Sequence, residues 1–161
     1  MITITQADLL NPQHADAVVT LLNHYAMDEM GGGEPLSEFT QNNLVQALHQ
    51  RPAASVFLAF DDAIPVGLMI VIEGFSTFAC KPLLNVHDVV VASTHRGQGI
   101  AKQLFAAAEA LARRLGCCKI TLEVLEGNTP AQAAYQSYGF APYALDPTMG
   151  NAMFWQKKLM G

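Results

Sequence analysis

The residues that could do chemistry in this 161-residue chain gather in two stretches. The first is Asn85-Val86-His87-Asp88-Val89-Val90-Val91, followed after a polar turn by Arg96-Gly97-Gln98-Gly99-Ile100-Ala101. Histidine is the one side chain that titrates near neutrality unaided, and at His87 a carboxylate comes next. Gly97 and Gly99 stand where an apolar strand passes into a helix. Glycine lets the backbone bend sharply and approach a ligand closely. The free N–H groups of a helix's first turn favour anions. Strand, Arg-Gly-x-Gly and helix together make either a phosphate cradle or a plain turn before a helix. The dinucleotide fingerprint fails, because its third glycine would fall on Lys102, and the P-loop pattern is absent. The second stretch runs from Asn128 to Phe140. The Asn128 amide can donate and accept and follows the carboxyl end of a strand, where α/β sheets place ligands; it can equally make a turn. Tyr135 brings a phenol on a short helix, or a core aromatic beside Tyr138 and Phe140.

The elements that must position these residues follow from periodicity. Ile2 and Ile4 alternate with threonines, predicting a strand. Asn11 caps and Pro12 opens a helix to about Ala26. Gly31-Gly32-Gly33 and Pro35 break it. Ser37 caps a second helix with Phe39, Leu44, Val45 and Leu48 on its apolar face. Ser55 to Phe60 and Val66 to Glu73 read as a hairpin, and Leu83 to Val91 as the next strand. Gln98 to Leu115 is the clearest helix, with Ile100, Leu104, Ala108 and Leu111 at helical spacing and Gly116 as C-cap. Lys119 to Leu125 reads as a strand. Thr129 caps a short helix with Pro130 at its first position and Gly139 at its end. Strands near Phe140 and from Met153 to Leu159 close the chain. This order, β-α-α-β-β-β-α-β-α-β-β, fits a three-layer α/β/α sandwich around a mixed, mostly antiparallel sheet, in one domain over 1–161.

Composition narrows the classes. Hydrophobic residues make up 51% and charged residues 14%, which excludes a disordered chain. A net charge of −5 argues against general nucleic-acid binding. The start of the chain lacks a signal-peptide pattern and no apolar run reaches membrane-spanning length. Cys80, Cys117 and Cys118 are odd in number and show no Cys-x-x-Cys, so a reducing, cytoplasmic setting is expected. No metal-ligand spacing appears.

Arg96-Gly97-Gln98-Gly99-Ile100-Ala101 resembles the acetyl-coenzyme A (acetyl-CoA) pyrophosphate loop of the GNAT superfamily of N-acetyltransferases, whose pattern is Gln/Arg-x-x-Gly-x-Gly/Ala. Asn128, Ala131, Tyr135, Gly139 and Phe140 fill the family's second pattern, Asn-x-x-Ala-x-x-x-Tyr-x-x-x-Gly-Phe. Both motifs occur in the family's order, and the order of elements matches across nearly the whole chain. The resemblance implies direct acetyl transfer from acetyl-CoA to an amine of a small molecule or peptide, in a ternary complex. Arg96 to Ala101 would hold the diphosphate. Val89, Val90 and Val91 would line the pantetheine arm, with main-chain groups of Val89 and Val91 pairing with it. Asn128 would contact the same arm.

Tyr135 is the counterpart of the general acid. A phenol with a pKa of about 10 can hand a proton to a departing thiolate of about 8–9. His87 is the candidate base; Asp88, Glu73 or a water relay are the alternatives. On a regular strand His87 and Asp88 point to opposite faces, so only one would meet the amine. Asp28, Glu29 and Glu34 around the three glycines suggest a cationic acceptor, or merely a solvated acidic loop. A covalent route would need a nucleophilic cysteine, and Cys117-Cys118 fall at the wrong end of the fold. The rivals are a non-catalytic acyl-CoA sensor or partner-binding module, and transfer of a longer acyl chain or to a hydroxyl. Homodimers are common in the family, with the tail after Phe140 as the candidate interface.

Overall fold

A computed structural model describes residues Met1–Leu159. They divide into two compact units, Met1–Leu122 and the residues from Glu123 on. The first holds β1 (Ile2–Gln6), α1 (Pro12–Ala26), α2 (Glu38–His49), β2 (Ala54–Asp61), β3 (Ile64–Ser76), β4 (Lys81–Val91), α3 (Ile100–Leu115) and β5 (Ile120–Leu122). The second holds α4 (Thr129–Ser137). The five strands form one sheet in sequence order, antiparallel except for the parallel β4–β5 pair, which α3 connects. A parallel pair needs such a crossover.

Strands β2 to β4 are apolar on both sides because both sides are covered. On one face Val56, Leu58, Phe60, Leu68, Ile70 and Val90 pack with Ala17, Val18 and Leu21 of α1 and Leu48 of α2. On the other, Gly67 of β3 lies beneath Ile100 and Leu104 of α3. A Cβ at Gly67 would sit 2.9 Å from Ile100 Cγ2 and 3.0 Å from Ala59 Cβ. The absence of that side chain lets the start of α3 settle against the sheet. The buried face of α3 is Ile100, Leu104, Phe105, Ala108, Leu111 and Ala112. Its large members gain roughly 1.5–3 kcal/mol each from burial, well above the ~1 kcal/mol a helix cap contributes. The helix is therefore held by its stripe and not by its end.

The expected caps at Asn11, Ser37 and Gly116 are formed. Four expectations need correction. Phe39 is three-quarters exposed rather than on the buried face of α2. β5 covers only Ile120–Leu122. The cap of α4 is Asn128, not Thr129: the Asn128 Oδ1 accepts from the Ala131 N–H at 3.3 Å, one residue earlier than Pro130 suggested. Among the described residues no strand forms near Phe140 or over 153–159; an isolated bridge joins Ala144 to Asn151. Met153, Phe154 and Trp155 are exposed there.

Candidate active site

The site begins with an irregularity in β4. Ile70 of β3 pairs with Asp88, but Val71 pairs with Val86, which leaves His87 as the extra residue of a β-bulge. A bulge re-aims side chains and resets the alternation. Leu84 and Val86 share the face of Glu73 and Val71; beyond the bulge, Asp88 and Val90 share the face of Ile70 and Leu68. His87 and Asp88 thus both lie on the α1–α2 side, not on opposite faces as a regular strand would have them. The contact between His87 Nδ1 and Asn85 Oδ1, two residues apart, fits this phase. His87 is exposed and Asp88 half-buried. Burial pushes the Asp88 carboxyl above its ordinary range, against a smaller opposing effect of His87. Tyr25 of α1 faces the same spot: burial raises its phenol, and the charges of Asp88 and Asp28 raise it further. Glu73 shares none of this; its charge falls on Cys117.

Beyond the bulge, no strand among the described residues pairs with β4 on the side of β5. The ladder to β5 covers only Leu84, Asn85 and Val86. The Ala92 N–H donates to the Val66 carbonyl at 2.8 Å. In an antiparallel ladder, bonded and non-bonded pairs alternate, so Val90 faces β3 with its N–H and C=O, whereas Val89 and Val91 turn theirs the other way. The Val90 side chain is in the core. Val89 and Val91 therefore offer main-chain donors and acceptors along an unpaired stretch of the strand.

The chain then turns through Ser93–His95 into Arg96, Gly97, Gln98 and Gly99. Gly97 and Gly99 have φ of 77° and 76°, and a Cβ on either would meet nothing within 4 Å. Left-handed backbone, rather than crowding within the protein, requires glycine at both. Gly99 is the N-cap of α3 and has no side chain with which to cap it. The helical ladder starts with the Gln103 N–H donating to the Gly99 carbonyl at 3.1 Å. The N–H groups of Ile100, Ala101 and Lys102 precede that first bond and point out of the helix end. Ile100 is buried, whereas Gln98 is exposed. Arg96 is extended and exposed, and its Nη2 lies 3.8 Å from Asp28 Oδ2. Asp28 in turn heads the loop after α1, where its Oδ1 accepts from the Met30 N–H.

The second motif lies wholly in the unit after Leu122. Asn128 spends its side-chain carbonyl on the cap of α4. Gln132 Nε2 donates to the carbonyls of Leu125 and Glu126, fastening the preceding loop to the helix. Tyr135 is half-buried, with the Phe140 ring edge-on at 6.3 Å, and its carbonyl accepts from the Phe140 N–H at 3.0 Å. Tyr138 ends the helix.

Sequence reasoning missed Tyr25, Gly67 and Gln132. Tyr25 reads as one more apolar residue of the α1 stripe, and Gly67 as an unremarked residue inside a strand, where a glycine can mark close approach of another backbone. Gln132 falls on an unspecified position of its motif. Among the described residues, no three His, Cys, Asp or Glu gather as metal ligands, and no helix is long and apolar enough to cross a membrane.

The chain is similar to known proteins in sequence and in fold. Residues 19–140 match the profile of the Acetyltransferase (GNAT) family. A streptothricin acetyltransferase of Streptomyces lavendulae is 41% identical over 66 residues, which are 41% of this chain and 35% of that protein. The chain thus covers about a third of that relative's length. Among solved structures, a probable acetyltransferase superposes with a TM-score of 0.78 at 24% identity, over 98% of this chain and 99% of the other. An aminoglycoside N-acetyltransferase in complex with CoA superposes with a TM-score of 0.75 at 19% identity, over 99% and 96%. The chain belongs to the GNAT family of acetyltransferases.

Proposed function

We propose that this protein moves an acetyl group from acetyl-CoA to a primary amine of a small cationic molecule or peptide, by direct transfer in a ternary complex. The observation that carries the reading is the uncapped start of α3, set behind Arg96 and reached from an unpaired stretch of β4. The N–H groups of Ile100 and Ala101 and the Arg96 guanidinium, with the turn of Gly97, Gln98 and Gly99, suit a diphosphate. The main chain of Val89 and Val91 suits the amides of a pantetheine arm, as an added strand suits a sheet edge. The residues present fit the carrier, which brings an activated thioester to the site.

The protein's own groups then have four tasks. Asp88 attracts the acceptor's ammonium, and His87 beside it takes one proton so that the neutral amine can bond to the thioester carbon; the second proton that the nitrogen sheds as the amide forms replaces the one that Tyr135 gives to sulfur. A main-chain N–H of β4 steadies the carbonyl oxygen while it gains charge. As the carbon–sulfur bond breaks, Tyr135, the counterpart of the family's general acid, gives the sulfur its proton. An acid and a base of this kind each contribute roughly 10²–10⁴-fold.

Streptothricin and aminoglycoside acetyltransferases among its relatives support a small-molecule acceptor, and a ribosomal-protein-alanine N-acetyltransferase from Brucella among its structural neighbours keeps peptides in the panel. The test is thiol release from acetyl-CoA and longer acyl-CoA across polycationic, neutral and acidic amines. Release with acetyl-CoA and cationic amines is expected. Preference for neutral or acidic acceptors removes the cationic assignment, and coenzyme binding without release for any amine leaves a sensor.

A further inference from the structure

The loop from Ala92 to Gly99 is fastened to the sheet at both ends. At its entry the Ala92 N–H donates to the Val66 carbonyl, and at its exit Ile100 is pressed against Gly67. Between them stands His95, which the family motifs leave unspecified. Its Nε2 lies 3.0 Å from Asp61 Oδ2, and its Nδ1 is 2.8 Å from the Thr94 hydroxyl. Both ring nitrogens are thus engaged: Nε2–H donates to the carboxylate and Nδ1 is left to accept from the hydroxyl. The imidazole is only 18% exposed. Asp61 is the last residue of β2, paired with Ile2 on one side and Ile64 on the other, so its backbone is held between two neighbouring strands. The α-ammonium of Met1 donates to its other carboxylate oxygen at 3.0 Å. His95 is the residue immediately before Arg96.

We propose that Asp61 and His95 form a latch that positions the coenzyme loop, fixing the turn from which Arg96, Gly97 and Gly99 reach the diphosphate of the donor. The inference rests on the reading of Arg96 to Ala101 as the diphosphate loop. Neither residue touches the donor; both are positioning residues. A free loop would lose conformational freedom on binding, and a latched one has already lost it. The latch also explains the pairing of types. A histidine at the end of the short turn can reach a strand end that a hydroxyl could not, and a carboxylate at Asp61 fixes which ring nitrogen carries the proton.

The experiment compares two donors: acetyl-CoA, and S-acetylpantetheine, which lacks the diphosphate. Asp61→Asn and His95→Gln are each assayed with the best amine of the panel, alongside melting temperatures. For acetyl-CoA, kcat/KM should fall about tenfold through KM, within the range that misplacing a binding group costs. The double variant should lose no more than either single one. Values for S-acetylpantetheine and for the amine's KM should stay level. Equal losses with both donors, or a loss that tracks melting temperature, make the pair a general structural tie and overturn the latch. Unchanged acetyl-CoA kinetics in both single variants overturn it as well. If the wild-type protein uses both donors equally, the diphosphate is not gripped at all, and the loop reading falls together with the latch.

Discussion

Two helices in this protein start in the same sequence setting, a strand and then a short polar turn, and solve the same problem in opposite ways. Every α-helix begins with N–H groups that lack partners. At α4, Asn128 bends its side chain back to the Ala131 N–H, and Pro130 removes one of the orphan donors outright. At α3, Gly99 offers no side chain and adopts a left-handed conformation, so the donors stay open. The comparison extends to α1 and α2, which are capped by Asn11 and Ser37. A glycine N-cap forgoes only about a few tenths of a kcal/mol relative to a capping side chain, which the buried stripe of α3 outweighs many times over. The open end of α3 is the one to which the proposed diphosphate contact is assigned. A closed end leaves its helix to contribute through side chains, and in the proposed reaction the side chain from α4 is Tyr135.

Breaking each helix should therefore damage a different quantity. The largest effect is expected at α4: Tyr135→Phe keeps the ring against Phe140 but removes the proton, and kcat should fall about 10²-fold or more. The Kd for acetyl-CoA, read by titration calorimetry, should stay within a factor of two of wild type, about 0.4 kcal/mol. A normal kcat would remove Tyr135 as the acid. At α3, Gly99→Val should do the reverse. A left-handed residue with a side chain costs about 1–2 kcal/mol, and a branched one at the helix mouth obstructs the approach. Donor Kd should rise on the order of tenfold to a hundredfold, while kcat at saturation changes less. Unaltered affinity would mean that the open end is not where the diphosphate sits.

How much of this was legible beforehand depends on the range of the interactions involved. The caps at Asn11 and Ser37 are local, and residue type and spacing reveal them. So are Gly97 and Gly99, because a left-handed backbone demands glycine at an exposed turn. The direction of His87 and Asp88 was not legible. A bulge depends on how two strands register over many residues, and nothing in Val86-His87-Asp88-Val89 marks one. Gly67 likewise matters through Ile100, more than thirty positions later. The strand expected over 153–159 rested on residue types without a partner strand in view, and apolar residues in a row do not say what covers them. Thr129 and Asn128 are both good caps, and a one-residue ambiguity of that kind is ordinary at helix ends.

The shared face of His87 and Asp88 can be sharpened with Asp88→Asn. Burial holds the Asp88 carboxyl above its ordinary range, so the folded protein binds that proton more readily than the unfolded chain does. The associated stability is present below the ordinary carboxylate range and is lost as pH rises through the raised folded value. At neutral pH the charged group is a burden on folding. Asp88→Asn should raise the melting temperature at neutral pH, with the gain shrinking toward acid, while KM for a cationic amine rises several-fold and donor affinity stays level. His87→Ala should instead flatten the acidic limb of the pH–rate profile. An unshifted KM in Asp88→Asn would free Asp88 from the acceptor.

The smallest effect tests the capped helix itself. Asn128 has a carbonyl oxygen, already used for the Ala131 N–H, and an NH2 group that the cap does not use. Asn128→Asp keeps an acceptor for the cap and removes the donor; Asn128→Ala removes both. If the residue only caps, the aspartate variant should match wild type in stability and in donor affinity, and alanine should cost about 0.5–2 kcal/mol of stability. If the NH2 also meets a carbonyl of the pantetheine arm, aspartate should keep its melting temperature yet bind acetyl-CoA a few-fold more weakly, since one hydrogen bond contributes roughly 0.5–1.5 kcal/mol. The second outcome is expected, because the family motif specifies asparagine where capping alone would accept serine or aspartate equally well. A wild-type affinity in Asn128→Asp would reduce Asn128 to the same role as Asn11 and Ser37, and would leave the open end of α3 and the edge of β4 to hold the donor without it.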